Sequence, residues 1–134
     1  MATLIDIKGI GDTYASKLAD LGINTQEELL KAGVAPKDRQ NIAEKTGISG
    51  KLILRWLNMA DLSRIGGITE AYANLLEHAG VDTVPELAQR NAKNLYAKMQ
   101  EVNEEKKAVK EMPSEEEVTT WVSEAKKLPR AINY

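Results

Sequence analysis

Residues Leu4 to Gly33 (LIDIKGIGDTYASKLADLGINTQEELLKAG) align without gaps on Leu62 to Asn91 (LSRIGGITEAYANLLEHAGVDTVPELAQRN), and eleven of the thirty positions are identical. A duplication constrains the fold more than any single element does, because each copy must be one supersecondary unit. The shared positions are those that make turns and cores. Ile7 matches Ile65, Gly9 matches Gly67, Ile10 matches Ile68, Tyr14 matches Tyr72, Leu18 matches Leu76, Gly22 matches Gly80 and Leu29 matches Leu87. Similarity continues more weakly downstream, where Trp56, Leu57 and Ala60 have the spacing of Trp121, Val122 and Ala125. Each copy therefore spans about sixty residues, with extra residues in the second around Asn103 to Glu111. This divides the chain into residues 1–60 and 61–134.

Inside each copy the local signals are helical. Thr25 with Glu28, Thr83 with Glu86 and Ser114 with Glu117 have the spacing of capping boxes, in which a hydroxyl and a carboxylate satisfy the orphan amides of a helix start. Gly22 and Gly80 follow apolar-periodic runs, where a helix-ending glycine is expected. Leu52, Ile53, Trp56, Leu57 and Ala60 recur at helical spacing, as do Val118, Trp121, Val122 and Ala125. No stretch alternates convincingly as a strand would. The expectation is an all-α protein of about eight short helices, with both tryptophans in the core rather than serving as base-stacking platforms.

Several classes of function are poorly served by this composition. The chain has no cysteine, which excludes disulfides, thiolate metal sites and cysteine nucleophiles. Its single histidine, His78, has no companions for a metal centre or a nucleophile elbow and reads as structural. Glu115, Glu116 and Glu117 follow Ser114 at a helix start, where the dipole favours negative charge. No phosphate-loop lysine motif or dinucleotide fingerprint is present. The expectation is a non-enzyme with no cofactor and no metal. Neither a basic, apolar leader nor a run of ~20 apolar residues appears, so a cytoplasmic protein that makes no use of a membrane is expected.

The most specific local feature is Ile7-Lys8-Gly9-Ile10-Gly11. Two glycines around one isoleucine make a turn too tight for side chains. Gly9 and Gly11 are free to take positive φ there, while Ile10 plugs the core between two helices. Amides of such a turn face outward at the start of the following helix, which makes an anion site.

In these residues the chain resembles the helix-hairpin-helix family, whose hairpins read apolar-x-glycine-apolar-glycine and whose paired units grip DNA phosphates without reading sequence. Thr46-Gly47-Ile48-Ser49, Gly66-Gly67-Ile68-Thr69 and Glu111-Met112-Pro113-Ser114 fit the same slot with increasing decay. The layout is thus similar to two tandem paired hairpin units. Across nearly its full length, including the Asn103 to Lys107 stretch and the Leu128-Pro129-Arg130 ending, the chain also resembles a family of small bacterial proteins catalogued only as a domain of unknown function.

The hairpin resemblance implies double-stranded DNA as a partner, bound without sequence preference through Lys8, Gly9, Ile10, Gly11, Lys17, Lys45, Gly47, Ser49, Lys51 and Arg55. Charge separates the four hairpins. Asp12 stands where a phosphate would lie in the first, whereas Lys45, Lys51 and Arg55 surround an acid-free turn in the second. Glu70 adjoins the third, and proline with three glutamates spoils the fourth.

Residues 1–60 hold eight basic and seven acidic side chains and residues 61–134 hold ten and thirteen, so the halves carry +1 and −3. Between residues 31 and 64, Lys31, Lys37, Arg39, Lys45, Lys51, Arg55 and Arg64 outnumber Asp38, Glu44 and Asp61 by four. If about four phosphates were neutralised, the salt slope would be near −3.6, and affinity would fall roughly 150-fold between 50 and 200 mM salt. A weak, salt-sensitive DNA-binding module is one expectation. The other is a protein-interaction or scaffold module, binding another protein or a second copy, with hairpins retained as structure and an apolar tail beyond Pro129.

Overall fold

A computed structural model describes Leu4, Ile7 and residues 10–132. Among these residues the chain forms eight α-helices and no β-strand: α1 (Asp12–Ala19), α2 (Gln26–Ala32), α3 (Pro36–Thr46), α4 (Gly50–Leu62), α5 (Glu70–His78), α6 (Val84–Ala88), α7 (Ala92–Lys106) and α8 (Glu115–Lys127). It divides into two compact units, Met1–Asp61 with Ala131–Tyr134, and Leu62–Arg130. No described helix is long and apolar enough to cross a membrane.

In the first unit, the end of α1 and the starts of α2 and α3 have local chemical causes. After α1, Gly22 takes φ 81°, and its N–H donates to the Ala19 carbonyl while Ile23 N–H donates to Leu18 O at 3.0 Å. This paired arrangement is a Schellman ending, and it turns Ile23 inward, leaving it 4 % exposed. α2 starts at Thr25, whose Oγ1 accepts from Glu28 N–H at 3.1 Å. The return arm of the box reaches one residue further than expected, with Asn24 N–H donating to Glu28 Oε1. α3 opens on Pro36, which loses no hydrogen bond at a helix start. Leu18, Leu29, Ile53, Trp56 and Leu57 are fully buried, and Gly33 lies against Leu57 so closely that a Cβ there would sit 2.7 Å from its Cδ1.

The second unit repeats these devices. Gly80 takes φ 94°, with Val81 N–H donating to Leu76 O and Gly80 N–H to Glu77 O. Thr83 Oγ1 accepts from Glu86 N–H, and Asp82 N–H reaches Glu86 Oε2. Even the turns ahead of α1 and α5 match: Ile7 N–H donates to Leu4 O and Ile10 N–H to Ile7 O, as Ile65 N–H does to Leu62 O and Ile68 N–H to Ile65 O. The extra residues follow α7, which ends on Lys107 in the left-handed region at φ 51°. Asn103 Oδ1 accepts from Val109 N–H at 3.0 Å, and Tyr72 Oη donates to the Glu111 carbonyl at 3.1 Å, so side chains pin the insertion at both ends. α8 then begins with a complete capping box on Ser114 and Glu117 and packs on α6 and α7 through Val118, Trp121, Val122 and Ala125. It ends at Leu128, which is extended because proline follows.

Candidate nucleic-acid interface

The turn between α3 and α4 is built from the backbone outward. α3 ends on Gly47, left-handed at φ 73°, a conformation that side chains resist. Thr46 Oγ1 donates to Ile42 O at 2.7 Å and accepts from Ile48 N–H at 3.2 Å. Ile48 is 3 % exposed, and its burial contributes about 1.5–3 kcal/mol to holding the two helices together. Ser49 is exposed, and its Oγ accepts from Lys51 N–H at 3.2 Å, so it acts as the cap of α4.

This geometry redistributes the expected phosphate donors. Gly47 N–H is already committed to Ala43 O at 2.8 Å, and Ile48 N–H to Thr46. The amides that an anion would meet are therefore those of the exposed Ser49–Gly50 backbone, where a helix start has no intrahelical carbonyl to offer. A Cβ on Gly50 would meet nothing within 4 Å, so the approach is open. Lys45, in the last turn of α3, and Lys51, in the first of α4, are exposed on either side of the turn. Arg55 is half-buried and engaged within the protein.

The first hairpin is less suited. Lys8 and Gly9 lie outside the described residues. Ile10 is buried, as its role as a core plug requires, and its amide serves Ile7 O. Gly11 is exposed with φ −91°, an ordinary extended residue at the start of α1 rather than the positive-φ position expected from its type. Lys17 stands in the last turn of α1, roughly 9 Å of helix rise beyond Gly11, so it does not flank that turn.

The local excess of positive charge is also smaller than the sequence count suggests. Arg39 is 8 % exposed, and its Nη1 donates to the carbonyls of Gly33 at 2.8 Å and Val34 at 3.1 Å, where α2 ends. Arg64 Nη2 donates to Pro129 O at 2.8 Å. Lys31 pairs with Glu27 at 3.4 Å. Two of the seven cations thus hold the chain together, and a third is shared with an exposed carboxylate.

Among α1, α4, α5 and α8, α4 alone has no acidic residue in its first turn; α1 carries Asp12, α5 carries Glu70 and α8 carries Glu115, Glu116 and Glu117. The second unit is electrostatically negative in detail. Burial, then Glu86 and Glu77, raise the Asp82 carboxyl above the ordinary value. Burial, then Glu117 and Glu111, raise the Tyr72 phenol. His78 is exposed in the last turn of α5, and no group of three or more metal-binding side chains occurs among the described residues.

The family model described as "Domain of unknown function (DUF4332)" matches residues 8–128. The chain belongs to this family. The match covers most of both units, so nearly all of the duplicated sequence lies within the DUF4332 domain. No curated protein and no solved structure matches the chain.

Two features of the surface were not read from the sequence. One is a groove of about 200 Å³ in the first unit, lined by Leu21, Ile23, Ala32, Asn41 and Ile42 with Asp38 and Lys45. The other is a cleft beside Trp121 in the second unit. For the latter a partial signal existed, since Trp121 and Gly67 both occupy positions shared with the first copy.

Proposed function

We propose that this chain is a non-catalytic helix-hairpin-helix module that binds double-stranded DNA weakly and without sequence preference, through the second hairpin of its first unit. The observation that carries this reading is the acid-free first turn of α4 between exposed Lys45 and Lys51. A phosphate at Ser49 and Gly50 would meet backbone N–H groups, the positive end of a thirteen-residue helix and two ammonium groups. With Arg39 and Arg64 otherwise employed, two or three phosphates are neutralised rather than four. The salt slope is then about −1.8 to −2.7, a loss of roughly 12- to 40-fold between 50 and 200 mM salt.

Fluorescence anisotropy of a labelled duplex at low salt tests this. Binding that weakens with that slope, and that is lost in Lys51→Glu, supports the reading. Absence of binding on the order of tens of micromolar protein, or indifference to Lys51→Glu, overturns it.

A second reading rests on Leu21, which is the exposed large apolar side chain of the described surface, at 36 %, and lines the groove of the first unit. Here the hairpins serve as structure, and the groove receives another protein or a second copy of the chain. Light scattering over a concentration series, compared with Leu21→Asp, separates the two readings: self-association abolished by the substitution favours this one.

A further inference from the structure

α3 turns one stripe of side chains toward the groove of the first unit. Asp38, Asn41, Ile42 and Lys45 all line it, at the spacing of neighbours on one helix face. Ile23 and Ile42 are its buried apolar part, while Leu21, Asp38, Asn41 and Lys45 are exposed. On the adjoining stripe Gln40 and Glu44 bind each other at 3.4 Å. Asp38 and Lys45, by contrast, have no ion-pair partner among the described residues, and the Asn41 side chain has no hydrogen bond there. The two charges cannot serve each other, being about 10 Å of helix rise apart.

The order of these groups selects what can cover them. An occupant must bring a cation to Asp38, an anion to Lys45, a donor and an acceptor to Asn41, and apolar surface to the isoleucines. The chain itself meets this description when turned end for end. The midpoint between Asp38 and Lys45 falls between Asn41 and Ile42, so a second α3 laid antiparallel on the first brings Lys45 of each copy to Asp38 of the other. The two Asn41 side chains then meet near the two-fold axis, where each carboxamide can donate to and accept from the other. A parallel arrangement would set like charges together, and a phosphate chain along the stripe would meet Asp38.

We infer that the groove of the first unit is the contact surface of a two-fold symmetric dimer, formed by antiparallel packing of α3 on α3 of a second copy, with Leu21 of each copy covering apolar lining. The inference rests on the second reading above, in which the groove receives a protein, and commits it to a second copy in one register. Exposed charge pairs contribute little each, and the groove is small, so the dimer is weak, dissociating on the order of 100 µM. Such a dimer presents the second hairpin twice.

Sedimentation velocity of the full chain between about 10 µM and 1 mM reads the association, and the parent is expected to pass from monomer to dimer in that range. Asp38→Lys and Lys45→Asp each set like charges together at both ends of the helix pair, so each should weaken the dimer about tenfold or more. Mixed in equal amounts, the two variants should associate again, because every basic end then meets an acidic one. Only a second copy in this register predicts that rescue. If either variant loses its helical circular dichroism, Asn41→Asp serves, since it sets like charges against each other at the axis and should likewise dissociate the dimer. A chain that stays monomeric throughout overturns the inference together with self-association as a reading of the groove. A dimer lost in Leu21→Asp but indifferent to the Asp38, Lys45 and Asn41 changes, or a mixture that stays monomeric, overturns the inference and leaves that reading standing. Lys51→Glu lies outside the groove lining and should leave association unchanged, which keeps this result separate from the DNA experiment.

Discussion

The rings of Tyr14 and Trp56 meet with centroids 5.3 Å apart and planes tilted by 53°. Tyr72 and Trp121 repeat the contact at 5.5 Å and 48°. In each copy the tyrosine comes from the first helix, α1 or α5, and the tryptophan from the fourth, α4 or α8. One aromatic contact thus ties α1 to α4 in the first unit and α5 to α8 in the second. Tilted pairs of this kind contribute about 0.5–1.5 kcal/mol beyond the area they bury.

Trp56 is fully buried, so truncation leaves a large cavity as well as losing the pair. Trp56→Ala should destabilise by about 3–5 kcal/mol, enough to unfold the first unit in chemical denaturation. Tyr14→Ala, at a half-buried ring, should cost less. Intrinsic fluorescence of the remaining Trp121 then reports whether the second unit unfolds separately.

Two hairpin glycines should behave oppositely. Gly47 needs its left-handed backbone, so Gly47→Ala should cost about 1–2 kcal/mol although no atom obstructs the new methyl group. Gly11 caps α1 with no side-chain hydrogen bond, so Gly11→Ser should stabilise by a few tenths of a kcal/mol. Thermal unfolding of both variants checks the signs.

Arg39 separates structural from functional charge. Arg39→Met removes the donor to Gly33 O and Val34 O and should lower stability by about 1–3 kcal/mol, because those carbonyls lose their partner. It should leave the salt slope of DNA binding unchanged, whereas Lys51→Glu should alter binding and leave stability nearly as it was.

Asp82 gives a pH dependence. Its folded-state pKa is raised, chiefly by burial and then by Glu86 and Glu77, so the folded chain holds a proton that the unfolded chain releases. This group therefore opposes folding at neutral pH and favours it increasingly as pH falls through the folded value, the gain being complete below the unfolded pKa of 3.8. Asp82→Asn should raise the melting temperature at pH 7, and the difference from the parent should shrink on acidification toward pH 3.8. Equal melting temperatures at pH 7 would contradict the sign.

What the sequence determined by itself is the part governed by neighbours. Helix ends depend on residues within about five positions, which is why Gly22 and Gly80, Thr25 and Thr83, and the Ser114–Glu117 box were legible, along with the duplication and the all-helical class. Even there, the return arms of Glu28 and Glu86 settled on Asn24 and Asp82, one residue upstream, by small adjustments of side-chain geometry. What only the tertiary structure decided is which polar groups folding consumes. Arg64 counts as surface charge in a linear reading, but Pro129 O, sixty-five positions away, occupies it. Arg39 spends its charge on the end of α2, and Gly47 spends its amide on Ala43. Such commitments depend on where the backbone leaves a carbonyl or amide without a partner, and that is fixed only once helices have packed. The unpaired indole N–H of Trp56, sealed in the core of the first unit, is the complementary case: packing decided that it should be left over.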